Sequence, residues 1–362
     1  MSKFNVNNTG HKTGKYPLFM GPALGVVDTI NVQYPELEDL YQTQWSQFWN
    51  EFEVDLTQDK MDMLNLPKST TDLMVKTIMW QTVADSVASR SILETLGKWV
   101  SNSELMNLLT IWSFFEVIHA RAYSHIIKQT FTNPNDMLEQ LYQEAEVMQR
   151  SAIIVETFEK MSSMTEVDGE EAIRKQIILT ITALFALEAI AFMSSFAVTF
   201  AITETNVMQG IGKEVTLICR DEVLHTRMNY TILNILKGDP DMAPLLTKYS
   251  PEIKVILDSV MNQELSWADY LFSEGRAVVG LNSTLLKEYS LYMAKPVYDS
   301  MGIIFDYEVI ERNPLPYTDK YIDPTKMQVA PQEIQVTSYK VGAIIDDTNG
   351  LDLSEFDDED YL

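Results

Sequence analysis

The sequence WSFFEVIHARAYSHII, residues 112–127, places Glu116 three positions before His119 in a largely apolar run. The sequence RDEVLH, residues 220–225, repeats the Glu-x-x-His pattern with Glu222 and His225. A separation of three residues puts two side chains on the same side of an α-helix. Each stretch is therefore predicted to present a carboxylate and an imidazole together. Two such pairs among only four histidines indicate a shared site rather than coincidence.

Two further acidic residues occupy positions where the surrounding sequence predicts burial. Asp85 lies in TVADSVA, residues 82–88, and Glu188 lies in LFALEAIAF, residues 184–192. An ionised carboxylate that is buried without a partner is strongly destabilising. The sequence around Glu188 contains no Lys or Arg that could compensate its charge. Both acids therefore need a positive partner from elsewhere in the fold.

A pair of metal ions would supply that charge. Ferritin-like helical bundles bind two ions through one carboxylate from each of two helices and a Glu-x-x-His pair from each of two others. Four carboxylates balance two ferrous ions, and carboxylate with imidazole suits iron or manganese. Zinc matches the ligand types but has no redox chemistry. A single buried His or Glu is usually an ordinary core residue, so the prediction depends on the whole set: Asp85, Glu116, His119, Glu188, Glu222 and His225.

Composition excludes several other classes of function. The chain has 362 residues with 27 basic and 52 acidic side chains, a net charge of −25, which argues against nucleic acid as a partner. A single cysteine, Cys219, rules out a disulfide framework and a cysteine-based metal site, and it fits a reducing cytoplasm. We find no secretory signal, and we interpret the most apolar run, 177–202, as a buried helix rather than a membrane span because it contains Glu188.

The distribution of proline and glycine predicts an all-α fold. Between residues 70 and 236 the chain has one proline, Pro134, which favours long helices. We expect an N-terminal arm at 1–34, a ferritin-like di-metal bundle with extra helices at 35–325, and a flexible, acidic tail at 326–362. The predicted helices are approximately 37–53, 70–100, 103–130, 134–161, 170–208, 214–236, 251–274 and 283–300, with Gly210 and Gly212 breaking the chain between two of them.

Tyr123 distinguishes among the functions open to a dinuclear site. Such a site can store iron, oxygenate a substrate or generate a radical. Tyr123 lies four residues after His119 and seven after Glu116, hence on the same helix face. A phenol directed at the metals can be oxidised when they react with oxygen. The alternative is a core tyrosine whose hydroxyl bonds to Asp85 or to water, and spacing alone does not decide between the two.

Several stretches resemble one known family. Residues 112–127 are similar to the helix that carries metal ligands and the tyrosine in the small (beta, radical-generating) subunit of class I ribonucleotide reductase, of the class Ia type. The stretches ALEAI (186–190), RDEVLH (220–225), SWADYLF (266–272) and QVAPQEIQVTSY (328–339) also resemble that family. The similarity extends in family order from Trp49 to Tyr339.

The resemblance implies a role for each candidate residue. Asp85, Glu116 and His119 would bind one iron. Glu188, Glu222 and His225 would bind the other, with Glu116 and Glu222 bridging. The result would be a di-iron-oxo centre with two iron ions per chain, with manganese as the alternative metal. The centre would activate O2 and oxidise Tyr123 to a tyrosyl radical, inside an apolar pocket formed by Phe192, Phe196 and Ile218.

The resemblance also implies a route by which the radical leaves. Trp49 and Asp221 match its first steps, Tyr339 the exit and Glu333 a supporting residue, although Trp49 could instead be a packing residue. The tail, with Phe356, Tyr361 and Leu362, would dock on the large (alpha) subunit, where ribonucleotides are reduced with electrons from thioredoxin or glutaredoxin. Homodimerisation and an electron donor to the metal centre are expected as well. We expect Cys219 to point about 100° away from Ile218 on its helix.

Overall fold

The structure is a computed structural model that describes residues 5–12, 16–22 and 25–322. The whole of the predicted C-terminal tail, 326–362, lies outside these residues, including Glu333, Tyr339 and the predicted anchors Phe356, Tyr361 and Leu362. The predicted roles of those residues therefore stay predictions.

The described residues form an all-α fold, as predicted. Their β-structure consists of two isolated bridges, Phe19 with Val100 and Val278 with Leu281. The α-helices are α1 (Pro35–Ser46), α2 (Thr57–Asn65), α3 (Lys68–Ile92), α4 (Ser103–Thr130), α5 (Pro134–Gln143), α6 (Ala145–Arg150), α7 (Ala152–Ser163), α8 (Glu170–Ala186), α9 (Met193–Thr203), α10 (Gln209–Gly238), α11 (Ala243–Lys248), α12 (Ser250–Leu271), α13 (Ser283–Met301) and α14 (Asp319–Ile322).

Four long helical segments surround the centre of the molecule. Helix α3 packs against α4 and α9, and α10 packs against the same two helices. Helices α8 and α9 are joined without a loop by a π-helical segment, Leu187–Phe192. The combined segment Glu170–Thr203 is long and apolar enough to cross a membrane, but its most apolar window is completely buried inside the protein. It is the core helix that the sequence predicted.

Helix α1 is shorter than the predicted helix 37–53, and the difference positions Trp49. The helix ends at Ser46, and a separate 3-10 turn follows at Glu51–Glu53. The Asn50 side chain accepts a hydrogen bond from Phe52 N, while the Glu53 side chain accepts one from Asn50 N. This reciprocal cap stabilises a new helical start, and it leaves Trp49 in an irregular stretch, fully buried.

The predicted helix 134–161 is wrong, because the chain there forms α5, α6 and α7 instead. The interruptions fall at two residues whose side chains bond to other elements. Glu144, at the first, has extended backbone angles and binds Lys76 and Tyr270. Ser151, at the second, accepts a hydrogen bond of 3.0 Å from the Trp80 indole. The second break brings the last residue of α6, Arg150, into the core.

The predicted helix break at Gly210 and Gly212 is also wrong. Both glycines lie inside the first turn of α10, and the chain reverses just before them, where Asn206 and Met208 adopt left-handed backbone angles. Asp59 accepts hydrogen bonds from Gly210 N at 3.1 Å and Ile211 N at 2.7 Å and so caps the helix. A Cβ atom on Gly210 would lie 2.5 Å from that carboxylate. Glycine is therefore required for close approach, not for a break.

Candidate metal centre

The six predicted ligands converge in the interior of the bundle. Asp85 comes from α3, Glu116 and His119 from α4, Glu188 from the π-helical segment, and Glu222 and His225 from α10. All six side chains are completely buried. Their ligand atoms form two overlapping groups, each within 4.8 Å: Asp85, Glu116, His119 and Glu222 in one, and Glu116, Glu188, Glu222 and His225 in the other.

Glu116 and Glu222 belong to both groups, because the two oxygens of each carboxylate lie near different histidines. His119 Nδ1 lies 3.5 Å from Glu116 Oε2 and 2.9 Å from Glu222 Oε1. His225 Nδ1 lies 2.9 Å from Glu116 Oε1 and 2.8 Å from Glu222 Oε2. Each of the two carboxylates thus directs one oxygen toward each imidazole, which is the arrangement of two bridging ligands.

The remaining two carboxylates are poorly satisfied by the described residues. No nitrogen or hydroxyl donor lies within hydrogen-bond distance of either oxygen of Asp85 or of Glu188 in the described part of the chain. His119 Nδ1 lies 3.7 Å from Asp85 Oδ1, and Glu188, when protonated, has Glu222 as its hydrogen-bond partner. Orphaned buried oxygens of this kind are rare in folded proteins unless an ion or water satisfies them. The donor set of four carboxylates and two imidazoles therefore fits a pair of divalent cations in charge, number and ligand type.

Without cations, the cluster has strongly shifted protonation equilibria. Burial raises the pKa of both Asp85 and Glu188 well above their usual range, and for Glu188 the charge of Glu222 adds to the effect. Burial alone would lower the pKa of His225, but the charges of Glu222 and Glu116 raise it to about 9. In the metal-free protein, protons bound to these side chains therefore offset the negative charge of the cluster. We expect cation binding to release them, so that affinity falls as the pH is lowered.

Trp49 and Asp221 are directly connected to the cluster. The Trp49 indole donates a hydrogen bond of 2.7 Å to Asp221 Oδ2, which also lies 3.2 Å from His119 Nε2. Asp221 Oδ1 in turn accepts from the Arg220 guanidinium at 3.3 Å. The carboxylate leaves His119 Nδ1 directed at the centre of the cluster and so orients the imidazole as a ligand.

The sequence reasoning missed two residues beside the cluster. The Trp112 indole donates a hydrogen bond of 2.9 Å to Glu116 Oε1, and its ring stacks on that of His225 with centroids 5.0 Å apart. Its position four residues before Glu116 on the same helix was the available signal. Arg220, which is buried beside Asp221, had no comparable signal.

Tyr123 lies near the cluster in the interior of the protein. The side chain is fully buried, and no hydrogen-bond partner for its hydroxyl exists among the described residues. Burial first, and then the nearby Asp85 carboxylate, raise the pKa of the phenol well above its usual value. The alternative of a core tyrosine hydrogen-bonded to Asp85 is therefore not what the structure shows.

The three predicted pocket residues, Phe192, Phe196 and Ile218, are buried as well. The rings of Phe192 and Phe196 stack with centroids 5.7 Å apart. The neighbouring Cys219 thiol lies 3.9 Å from the carbonyl oxygen of Tyr321 in α14.

Glu214, a buried carboxyl outside the cluster, provides a prediction about stability. Burial, with smaller contributions from Asp59 and Glu51, raises the pKa of Glu214 from 4.5 to about 9. A raised pKa in the folded state means that Glu214 favours folding below pH 4.5 and loses this contribution as the pH rises toward 9. We expect Glu214→Gln to raise the free energy of unfolding at pH 8 by on the order of 3 kcal/mol, with little change at pH 4.5.

Denaturant unfolding of the two proteins across this pH range measures the effect. Glu139→Gln, at an exposed carboxylate, is the control and should leave the pH profile unchanged. Parallel profiles for wild type and Glu214→Gln would show that Glu214 is ionised in the folded protein.

Comparison with known proteins agrees with this geometry. The family model described as ribonucleotide reductase, small chain, matches residues 26–314. A Haemophilus influenzae protein named ribonucleoside-diphosphate reductase subunit beta is 32% identical over 95% of this chain and 96% of its own length. The ribonucleotide reductase R2 subunit from Clostridium botulinum superposes with a TM-score of 0.76 at 22% identity, covering 89% of this chain and 99% of that one. Dimanganese(II)-NrdF from Streptococcus sanguinis superposes with a TM-score of 0.68 at 18% identity, covering 82% and 99%.

Proposed function

Since the chain belongs to the ribonucleotide reductase small-chain family, we propose that its buried cluster binds two metal ions and generates a tyrosyl radical on Tyr123. As the beta subunit of ribonucleoside-diphosphate reductase, it works with a large subunit, on which ribonucleotides are reduced. The observation that carries this proposal is the sharing of Glu116 and Glu222 between the two imidazoles.

The six side chains hold the two ions in place. His119 and His225 each offer Nδ1, while Asp85 and Glu188 each offer oxygens that accept no hydrogen bond from the described part of the chain. Two metal ions bound there would supply the redox chemistry that, with O2 and one electron from an external donor, oxidises a nearby phenol by one electron. We propose iron as the metal. Manganese is the alternative, because the similar structure from Streptococcus sanguinis is named as a dimanganese(II) protein.

The surroundings of Tyr123 suit the storage of a radical. The hydroxyl is buried and keeps its proton until the phenol is oxidised, because its pKa is raised by burial. The apolar side chains of Phe192, Phe196 and Ile218 are buried, and they offer neither protons nor electrons. A site that excludes water and reductants in this way prevents side reactions of a reactive intermediate.

The hydrogen-bonded row His119, Asp221 and Trp49 supports the proposed radical route. It connects a candidate ligand to an oxidisable indole through contacts of 3.2 and 2.7 Å. Tyr339 and Glu333 complete the route in the proposal, and the C-terminal tail docks on the large subunit. All of these lie outside the described residues.

Reconstitution tests the proposed function directly. Metal-free protein is loaded anaerobically with four equivalents of ferrous iron per chain, exposed to O2, and followed by optical and electron paramagnetic resonance spectroscopy and by iron analysis. Iron beyond the two bound ions supplies the fourth electron that the reduction of O2 needs, since the two bound ions and the phenol supply three. We expect a tyrosyl radical signal that requires both iron and O2. Iron uptake beyond two ions per chain without a radical would favour a storage protein instead.

A cluster of exposed apolar side chains supports homodimerisation. The cluster includes Trp45 in the last turn of α1, and Phe48 and Phe52 just after that helix. Phe114 and Val117 lie on α4, against which α1 packs. Phe48 and Phe114 stack with centroids 6.1 Å apart, while Trp45 and Phe52 are 62% and 72% exposed. Large apolar patches on one face mark interaction sites. We propose that this face, the α1–α4 face, pairs with the same face of a second copy.

Charged substitutions on the α1–α4 face should separate the dimer. We expect Trp45→Glu combined with Phe52→Glu to raise the dimer dissociation constant by about 1,000-fold, since aromatic anchors commonly contribute about 2 kcal/mol each. Sedimentation velocity over a concentration series measures this. Val255→Glu, at an equally exposed apolar residue on α12, should leave association unchanged. A wild-type protein that sediments as a monomer would contradict the proposal.

A further inference from the structure

Arg150 is a buried cation with no part in the cluster described so far. It is the last residue of α6, and its guanidinium is almost completely enclosed. Arg150 Nε donates a hydrogen bond of 2.7 Å to Glu264 Oε1 on α12, and Arg150 Nη2 donates one of 2.7 Å to Glu264 Oε2. Replacing such a buried pair by apolar residues is often neutral for stability, so the pair calls for an explanation other than stability.

The guanidinium has a third partner, and this one belongs to the π-helical segment. Arg150 Nη2 donates a hydrogen bond of 3.0 Å to the carbonyl oxygen of Ala191. A π turn inserted between two α-helices changes the backbone hydrogen-bond repeat, and such turns occur mostly at functional sites. A side-chain donor to a buried carbonyl inside the turn favours this backbone arrangement over a regular α-helix. The same turn carries Glu188, three residues earlier.

Two aromatic rings pack against the guanidinium, and one of them also contacts the π-helical segment. The Arg150 guanidinium carbon lies 3.7 Å from the ring centroid of Trp80 and 4.8 Å from that of Trp267. Trp80 in turn contacts Phe192 edge to face, with centroids 5.3 Å apart. One cation therefore contacts the π-helical segment both at its backbone and, through Trp80, at the side chain of its last residue.

We propose that Arg150, anchored by Glu264, is a positioning residue that holds the Leu187–Phe192 turn in its π-helical form and thereby places the Glu188 carboxylate for the second metal ion. This inference rests on the proposed function of the cluster. Arg150 itself does not contact the metals. Its loss is expected to weaken binding only at the ion that Glu188 would bind.

The test uses a variant that removes the contact without leaving a buried charge. Arg150→Met combined with Glu264→Leu replaces the ion pair by apolar side chains. The matched control is Arg276→Met. Arg276 is also buried, lies over the ring of Tyr270 and donates a 2.8 Å hydrogen bond to the carbonyl oxygen of Leu271, but its carboxylate partner Glu274 is exposed.

Two readouts on the full-length protein separate positioning from simple stabilisation. The first is hydrogen exchange of metal-free protein, in which we expect the 187–192 amides to exchange faster in the Arg150/Glu264 variant while those of α4 keep their wild-type rates. The second is anaerobic titration with Mn²⁺, in which we expect the second ion to bind about 10- to 100-fold more weakly and the first ion to bind as in wild type. Arg276→Met should match wild type in both.

Three results would overturn the inference: unchanged exchange at 187–192, an equal loss of affinity for both ions, or faster exchange throughout the protein. A wild-type chain that binds fewer than two ions would instead contradict the proposed function itself. The two failures are therefore distinguishable.

A cavity beside Arg150 permits an independent rescue experiment. The cavity has a volume of about 240 Å³ and is lined by Arg150, Trp267 and Tyr270, among others. Guanidinium ion at millimolar concentration can therefore enter the space left in Arg150→Ala and pair with Glu264. We expect it, but not the neutral analogue urea, to restore slow exchange at 187–192. Equal effects of the two solutes would contradict a role for the cation.

Discussion

Replacing Tyr123 by phenylalanine is expected to abolish the radical signal and ribonucleotide reduction while both metal ions remain bound. The hydroxyl is fully buried, and it has no hydrogen-bond partner among the described residues. Its removal therefore breaks no hydrogen bond and should leave the free energy of unfolding unchanged or slightly raised. The lost function would then reflect the missing phenol and not a damaged fold.

Spin resonance, metal analysis and turnover with the large subunit measure the three parts of this prediction. Tyr289→Phe, at another buried tyrosine, is the control and should keep the signal. Trp49→Phe provides a contrast, because it removes the indole donor to Asp221 but not the phenol. We expect it to keep the radical and lose turnover. A wild-type signal that persists in Tyr123→Phe would assign the radical to another residue.

Replacing Glu188 by methionine is expected to have opposite effects on the metal-free and the metal-loaded protein. In the metal-free protein the variant loses a completely buried carboxyl, whose pKa burial raises well above its usual range and whose oxygens accept no hydrogen bond from the described residues. We expect the free energy of unfolding to rise by about 1–3 kcal/mol. In the presence of metal the variant lacks a ligand of the second ion. It should therefore forgo the stabilisation that a bound ion gives, about 2.7 kcal/mol at a free concentration 100 times the dissociation constant.

Denaturant unfolding with chelator and with excess Mn²⁺ separates the two effects. Glu204→Met is a suitable control, because Glu204 lies beyond the end of the same helix and pairs with Lys320 at the surface. Loss of stability in the Glu188→Met protein under chelator would show that Glu188 already has a satisfactory protein partner. Such a result would weaken the case for a cation at this position.

The sequence predicted the convergence of the six candidate ligands, because local patterns determine where they lie. The two Glu-x-x-His pairs depend only on helical spacing, and Asp85 and Glu188 were recognisable as acids in apolar surroundings. All six converge as predicted. The family was also predicted from short stretches of residues and is confirmed by the comparisons.

Two features that sequence analysis missed depend on contacts between distant residues. The π turn that carries Glu188 lies against Arg150, 41 residues away from Ala191. The start of α10 depends on Asp59, 151 residues before Gly210. Neither the helical period nor composition reports such pairings, so tertiary contacts moved these boundaries away from those that intrinsic propensity predicted.

The end of α1 was missed for a different reason. The reciprocal cap between Asn50 and Glu53 is local, and its pattern was present in the sequence.

A crystal structure of the Mn²⁺-loaded protein, with anomalous scattering recorded at the manganese edge, is the most direct test of the dinuclear site. Two anomalous peaks per chain are expected, about 3.5–4 Å apart. One should lie among Asp85, Glu116 and His119, and the other among Glu188, Glu222 and His225. A single peak, or peaks that leave Asp85 or Glu188 without a metal contact, would contradict the account.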